Sequence, residues 1–244
     1  MQLRMGGRAV EGSGARPVIP TLPEKMDNRK SSMHRRIAWL IALLLIGTGA
    51  TTATRASQVT TYGAGLKSCG SYLQARDQES ADEMAFVDWF SGYLSGVNAT
   101  YNRSNNVLAN SNLKEAVYWL EKYCRAHTGD SFATASFALL RSASSTTRTQ
   151  AAEPITYGAG FKSCGTYLSA RDQRDSDEMA FVDWLGGYLS GVNAISLGNT
   201  NILGTSDITG AITWLDSYCR EHASARFAAA VMARVTVDTP PSKH

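Results

Sequence analysis

Residues 61–140 are written again at 156–235, in register and without a gap. TYGAGLKSCGSYLQARDQ returns as TYGAGFKSCGTYLSARDQ, and DEMAFVDWFSGYLSGVNA as DEMAFVDWLGGYLSGVNA. About 45 of the 80 paired positions are identical. A period of this length makes the unit of folding one copy, not the whole chain. Each copy, at roughly 80 residues, is near the lower end of what folds alone. The expected organisation is a first repeat over 57–141, a linker over 142–155, a second repeat over 156–236 and a frayed tail over 237–244.

A second signal precedes the repeats. His34, Arg35 and Arg36 form a basic start, Ile37 to Ile46 are almost wholly apolar, and Gly47 to Ala56 turn small and polar. The apolar run is too short to span a bilayer as a helix and reads as a cleaved secretory signal over 33–56, with processing near Ala56. Residues 1–32, rich in Gly, Pro and Arg, read as non-structural or as the product of an upstream start, with Met26 or Met33 as the true first residue; a long signal n-region is the alternative. Up to Ala56 there are about 9 Lys and Arg against 3 Asp and Glu, so a formal charge of +3 becomes about −3 in the remainder. No basic footprint is left for nucleic acid. The expected location is periplasmic or secreted, with no stable membrane span after cleavage.

All four cysteines follow the signal: Cys69 and Cys124 in the first copy, Cys164 and Cys219 in the second. Of the three possible pairings, Cys69–Cys124 with Cys164–Cys219 gives each copy its own bridge at the same spacing. An oxidising compartment supports such bridges. The rival is a metal site built on Cys124-x-x-His127 and Cys219-x-x-His222, but these supply too few ligands for zinc. His127 and His222 are better placed to satisfy the last carbonyls of a helix. Neither a cofactor nor a metal is expected.

Periodicity predicts four helices per copy. The first lies near Ser68 to Ala75. The second carries Val87, Phe90, Leu94 and Val97 on one stripe, opened by capping boxes at Ser80-x-x-Glu83 and Asp175-x-x-Glu178. The third runs from Asn112 to about Ala126 with Leu113, Val117, Leu120 and Cys124 inward, and the last from about Asp130 to Arg141. Alternating apolar patterns are scarce, so the fold class is all-α: two tandem disulfide-stapled four-helix domains.

Three groups of residues are candidates for function. Asp82, Glu83 and Asp88 could act as paired acid/base carboxylates, but helix capping, the helix dipole and solvent exposure account for them without catalysis. Gly92 and Gly96, repeated as Gly187 and Gly191, form a small-residue ridge inside a helix, which costs about 1 kcal/mol per glycine and therefore requires a close neighbour. Packing within one domain is the simpler expectation, and packing of copy on copy or on a partner the alternative. Arg76-Asp77, Asn98 and Arg125 recur as Arg171-Asp172, Asn193 and Arg220; they read as a local ion pair, a helix-end amide in the left-handed region and a C-terminal cation, or else as a shared polar face. From Thr100 to Lys122 only about 6 of 23 positions match, against about 31 of 39 from Thr61 to Ala99, so specificity is expected near the loops at 100–112 and 195–207.

The combination of a signal, an early Cys, Trp89-x-x-Gly92-Tyr-Leu-Ser-Gly96-Val-Asn98 and Trp119-Leu-x-x-Tyr123-Cys-Arg-x-His127 resembles small secreted α-helical proteins of proteobacteria. More distantly it is similar to Tai-type periplasmic immunity proteins, which neutralise peptidoglycan amidases, and to HdeA-like acid chaperones. Those families usually have one domain, and neither supplies catalytic residues to carry over. The resemblance implies a non-enzymatic protein binder outside the cytoplasm. The alternatives are a stress chaperone that loosens in acid and a cell-wall hydrolase using the helix-two carboxylates.

Overall fold

The computed structural model describes residues 59–100, 106–108, 111–143, 154–196 and 201–237. The signal, the segment before it and most of the linker lie outside these residues. The described residues are helical, with eight α-helices and no strand. In the first copy these are α1 (Cys69–Asp77), α2 (Asp82–Thr100), α3 (Leu113–Ala126) and α4 (Phe132–Ala143). In the second they are α5 (Cys164–Gln173), α6 (Asp177–Ile195), α7 (Ile208–Glu221) and α8 (Phe227–Val237). A 3-10 turn precedes each set, at Gly63–Leu66 and Gly158–Phe161. Each turn enters through a glycine with positive φ, Gly63 at 57° and Gly158 at 60°, a conformation that penalises any side chain.

Local chemistry sets the helix ends. The Ser68 and Ser163 hydroxyls accept from the backbone N–H groups of Ser71 and Thr166, opening α1 and α5. Asn112 and Asp207 do the same for α3 and α7 through Glu115 and Gly210. His127 and His222 stand at the C-caps of those helices, each with Nδ1 2.9 Å from the carbonyl oxygen four residues earlier. Capping boxes do not open α2 and α6. The Ser80 hydroxyl donates to the Ala75 carbonyl, and the carboxylates of Glu83 and Glu178 accept from Arg76 and Arg171 instead. A guanidinium within reach outcompetes a backbone N–H for a carboxylate.

The disulfides are Cys69–Cys124 and Cys164–Cys219, each closing 55 residues. They tie α1 to α3 and α5 to α7. In the chain-entropy description a loop of that length restricts the unfolded chain by about 4 kcal/mol. Both thiols of each copy are consumed, so the Cys-x-x-His spacing builds no zinc site. Among the described residues, no three His, Cys, Asp or Glu side chains converge to hold a metal ion.

Each copy has its own aromatic core. Tyr72, Phe86 and Trp89 pack around Phe132, and Tyr167, Phe181 and Trp184 around Phe227. These clusters meet along α2 and α6, which make the most extensive helix contact in the molecule. From Trp89 to Asn98 and from Trp184 to Asn193 every residue is buried. The Val87 stripe was expected to be one-sided, but α2 is enclosed because the second copy covers what would be its outer face.

Candidate functional site

The glycine ridge lies between the copies, not within one of them. A Cβ on Gly92 would lie 2.0 Å from the Trp184 carbonyl oxygen, and one on Gly96 2.2 Å from that of Tyr188. Reciprocally, a Cβ on Gly187 would lie 1.8 Å from the Trp89 oxygen, and one on Gly191 2.2 Å from that of Tyr93. Backbone approaches backbone with no side chain between, which only glycine allows. The expectation of packing within one domain fails because both faces of the helix are needed: one for its own core, the other for its twin.

Short arms lock this joint. The Tyr62 N–H donates to Ser190 Oγ, and the Asn193 amide donates to the Thr60 carbonyl, so the first copy's arm lies on α6. The second arm mirrors it, with Tyr157 N–H on Ser95 Oγ and the Asn98 amide on the Ile155 carbonyl. The carbonyl of each arm tyrosine returns to its own copy, accepting from Trp89 or Trp184 at 2.7 Å. The phenols reach across to the divergent loops, Tyr62 to Asn201 and Tyr157 to Asn106. Asn98 and Asn193 are therefore not left-handed helix-end amides. They are buried helical residues whose oxygens also anchor those loops at Val107 and Ile202. Part of the divergent loop is thus structural.

The arginine and aspartate repeats also differ from the expected local pairs. Arg76 bonds Glu83 and Glu121, whereas Asp77 takes Arg125. In the second copy Arg171 bonds Glu178 and Asp216, and Asp172 takes Arg220. These pairs stitch α1 to α2 and α3, and α5 to α6 and α7. Hydrogen bonding to Arg125 and Arg220 holds Asp77 and Asp172 below the usual carboxylate range. The shared polar residues form a face, but its charges are occupied with one another.

Asp88 does not face water freely. It and its twin Asp183 are half-buried on the joint helices, and burial pushes both carboxyls up to about 6. Asp177 adds to the shift at Asp88 and Asp88 to that at Asp183, while Lys162 and Lys67 respectively oppose it.

Two surface features belong to the first copy. On the outer side of α3, Lys114, Tyr118 and Lys122 are exposed at intervals of four; their counterparts are Thr209, Thr213 and Ser217. Tyr118 is 61% exposed, with the Lys122 ammonium 6.0 Å from its ring centroid. Elsewhere an apolar groove opens between the first arm, α4 and α6, with Tyr93 among its lining residues. Neither was found by reading the repeat for identities. The signal lay in the mismatches, Tyr118 against Thr213 and Ser131 against Arg226. Among the described residues no helix is long and apolar enough to cross a membrane. Comparison with family models, with curated proteins and with solved structures finds no match to the chain.

Proposed function

We propose that this protein is a non-enzymatic binding module acting outside the cytoplasm, and that it holds a protein partner against the outer face of α3. The observation that carries this reading is the Lys114, Tyr118, Lys122 stripe. Exposed aromatics flanked by cations are the side chains that anchor protein interfaces, and the lysines suit an acidic partner surface. The stripe stands on a helix pinned by a disulfide and by ion pairs, so little order is lost on binding. The two bridges fit an oxidising compartment. The residues that both copies keep are engaged in the joint, the arms and the ion-pair network, which favours recognition by a surface over catalysis. An immunity-type inhibitor that occludes a cell-wall-degrading effector is one form such a binder would take, suggested by the sequence resemblance.

The test is retention of a partner from envelope extract by the full chain, alongside Tyr118→Ala and the Lys114→Glu/Lys122→Glu pair. A partner held by the parent chain should be lost from both variants, with affinity falling by roughly thirtyfold for a hot-spot aromatic worth about 2 kcal/mol. Equal retention by all three proteins, or no retained protein, would overturn the reading.

A further inference from the structure

The groove in the first copy has a chemistry of its own. Val59 on the arm, Leu66 on the 3-10 turn, Ala133 and Phe137 on α4, and Tyr93 and Ala194 on the joint helices supply its apolar and aromatic surface. Its volume of about 440 Å³ falls in the range of small-molecule sites. Leu66 is 67% and Phe137 43% exposed, leaving an apolar rim open to solvent. Among the described residues no charged side chain lines the cavity.

Its hydroxyls are nearly all committed. Ser190 Oγ donates to the Gly186 carbonyl and accepts the Tyr62 N–H. Thr61 Oγ1 donates to the Val59 carbonyl, and the Ser131 and Thr134 hydroxyls bond each other at 2.8 Å. Tyr93 differs. Its side chain is almost wholly buried, yet its hydroxyl has no hydrogen-bond partner among the described residues. A buried hydroxyl left in that state keeps its desolvation penalty uncompensated, and a ligand acceptor would remove it. Burial also holds the Tyr93 phenol well above its ordinary pKa, so it remains a neutral donor.

The second copy alters the same positions. Arg226 stands where the first copy has Ser131, Ala229 replaces Thr134, and Met232 replaces Phe137. The Arg226 guanidinium lies 5.8 Å from the centroid of Phe161, the counterpart of Leu66. A cation thus sits over the rim residue that the first copy leaves bare. The divergence falls on the groove itself, while the joint beneath it is kept.

We propose that this groove binds a small, uncharged, predominantly apolar molecule, such as a fatty alcohol or an acyl ester, whose hydrogen-bond acceptor takes the Tyr93 hydroxyl proton when a small shift of the overlying side chains opens that buried oxygen to the groove. A free fatty acid fits less well, because its carboxylate would be desolvated with no cation among the described lining residues to meet it. This site is separate in its residues from the α3 stripe and does not depend on it.

The experiment uses the full chain and a neutral fluorescent probe, N-phenyl-1-naphthylamine, without detergent. Fluorescence should saturate at one probe per chain, 1-decanol should displace it, and decanoate at the same concentration should not. Phe137→Glu, an exposed change expected to leave the melting curve in place, should weaken probe binding by about tenfold or more by putting a charge in the apolar rim. Tyr93→Phe should leave stability unchanged and weaken 1-decanol by roughly threefold to tenfold, the worth of one hydrogen bond. The Lys114→Glu/Lys122→Glu protein should bind the probe as the parent does, which separates failure here from failure of the α3 reading. Absence of saturable binding, equal displacement by decanoate, or an unaltered Phe137→Glu protein would each overturn the proposal.

Discussion

The joint between α2 and α6 and the outer faces of α3 and α7 descend from the same duplication, yet have diverged very differently. From Gly92 to Asn98 the two copies are identical, and each of these residues is buried between them. On the outer face Lys114, Tyr118 and Lys122 have become Thr209, Thr213 and Ser217. The physical constraint explains the contrast. In the joint the nearest neighbour is another backbone, which cannot move aside, and a change in one copy strains both. On α3 the nearest neighbour is water. Identity between the copies therefore marks their shared packing, and difference marks the surface free to acquire a role.

The largest expected effect breaks the joint. Gly92→Ala or Gly187→Ala places a methyl about 2 Å from a carbonyl oxygen of the facing helix. Alanine gains about 1 kcal/mol in helix propensity, but overpacking costs 1–3 kcal/mol even where side chains can shift, and here the helices must part. A net loss of about 3 kcal/mol or more is expected from urea denaturation. Gly129→Ala, which meets nothing within 4 Å, is the control and should be nearly neutral. If the joint variants match the control, the two copies do not need each other.

Helix number, the C-terminal ends of α3 and α7 and disulfide pairing were legible in the sequence because they follow from local period, the carbonyl-satisfying histidines and cysteine spacing. His127 and His222 stand at the helix C-caps as read, whereas the boxes expected at Ser80 and Asp175 do not form. The partner of the glycine ridge was not legible, because Gly-x-x-x-Gly states that something approaches closely without saying what. Arg76 was assigned to its neighbour Asp77, yet successive helical side chains point apart and the cross-helix carboxylates Glu83 and Glu121 win. Asn98 looked like a helix end because only the loop beyond it is visible in one dimension; its second partner, the Ile155 carbonyl, lies 57 residues away. The groove was invisible for the same reason, since its lining residues come from the first arm, α2, α4 and the other copy.

A second expected effect sharpens the comparison through pH. Asp88 and Asp183 sit at the joint with folded values of about 6 against an ordinary 3.8. Between pH 6 and pH 4 the folded chain therefore holds more protons than the unfolded one, so stability falls as pH rises through this window and is regained on acidification. Both groups are partly open to solvent, and after allowing for that screening the two together should contribute about 1–3 kcal/mol. The outer ion pairs act in the opposite sense. Asp77, Asp172 and Glu121 are held low by their arginines, and what they contribute is present above the ordinary carboxylate value and lost as pH falls through their folded values. Stability should therefore peak at about pH 4 and decline on either side. Asp88→Asn/Asp183→Asn should raise stability at pH 7.5 and flatten the curve above pH 4. An acid chaperone requires the reverse, and a chain less stable at pH 5.5 than at pH 7.5 would return that alternative to the front.

The smallest effect separates the copies at one methylene. In the second copy Asp216 accepts both the Tyr167 hydroxyl, at 2.6 Å, and Arg171. In the first copy Glu121 stands in that place and reaches Arg125 as well as Arg76, and among the described residues the buried Tyr72 hydroxyl has no well-formed hydrogen bond, only a weak interaction with the Arg76 guanidinium. Burial pushes the Tyr72 phenol up to about 12, so neither tyrosine is ionised near neutrality. The same deletion should then read differently in the two halves. Tyr167→Phe removes a hydrogen bond to a charged acceptor and should cost about 1.5–3 kcal/mol, whereas Tyr72→Phe removes a hydroxyl with no well-formed hydrogen bond among the described residues and should stay within about 0.5 kcal/mol of the parent. Glu121→Asp tests the cause: if the shorter side chain restores the bond, Tyr72→Phe in that background should become as costly as Tyr167→Phe. Equal costs for the two tyrosines in the parent chain would mean that Tyr72 has a partner after all, and that the copies differ here in sequence but not in bonding.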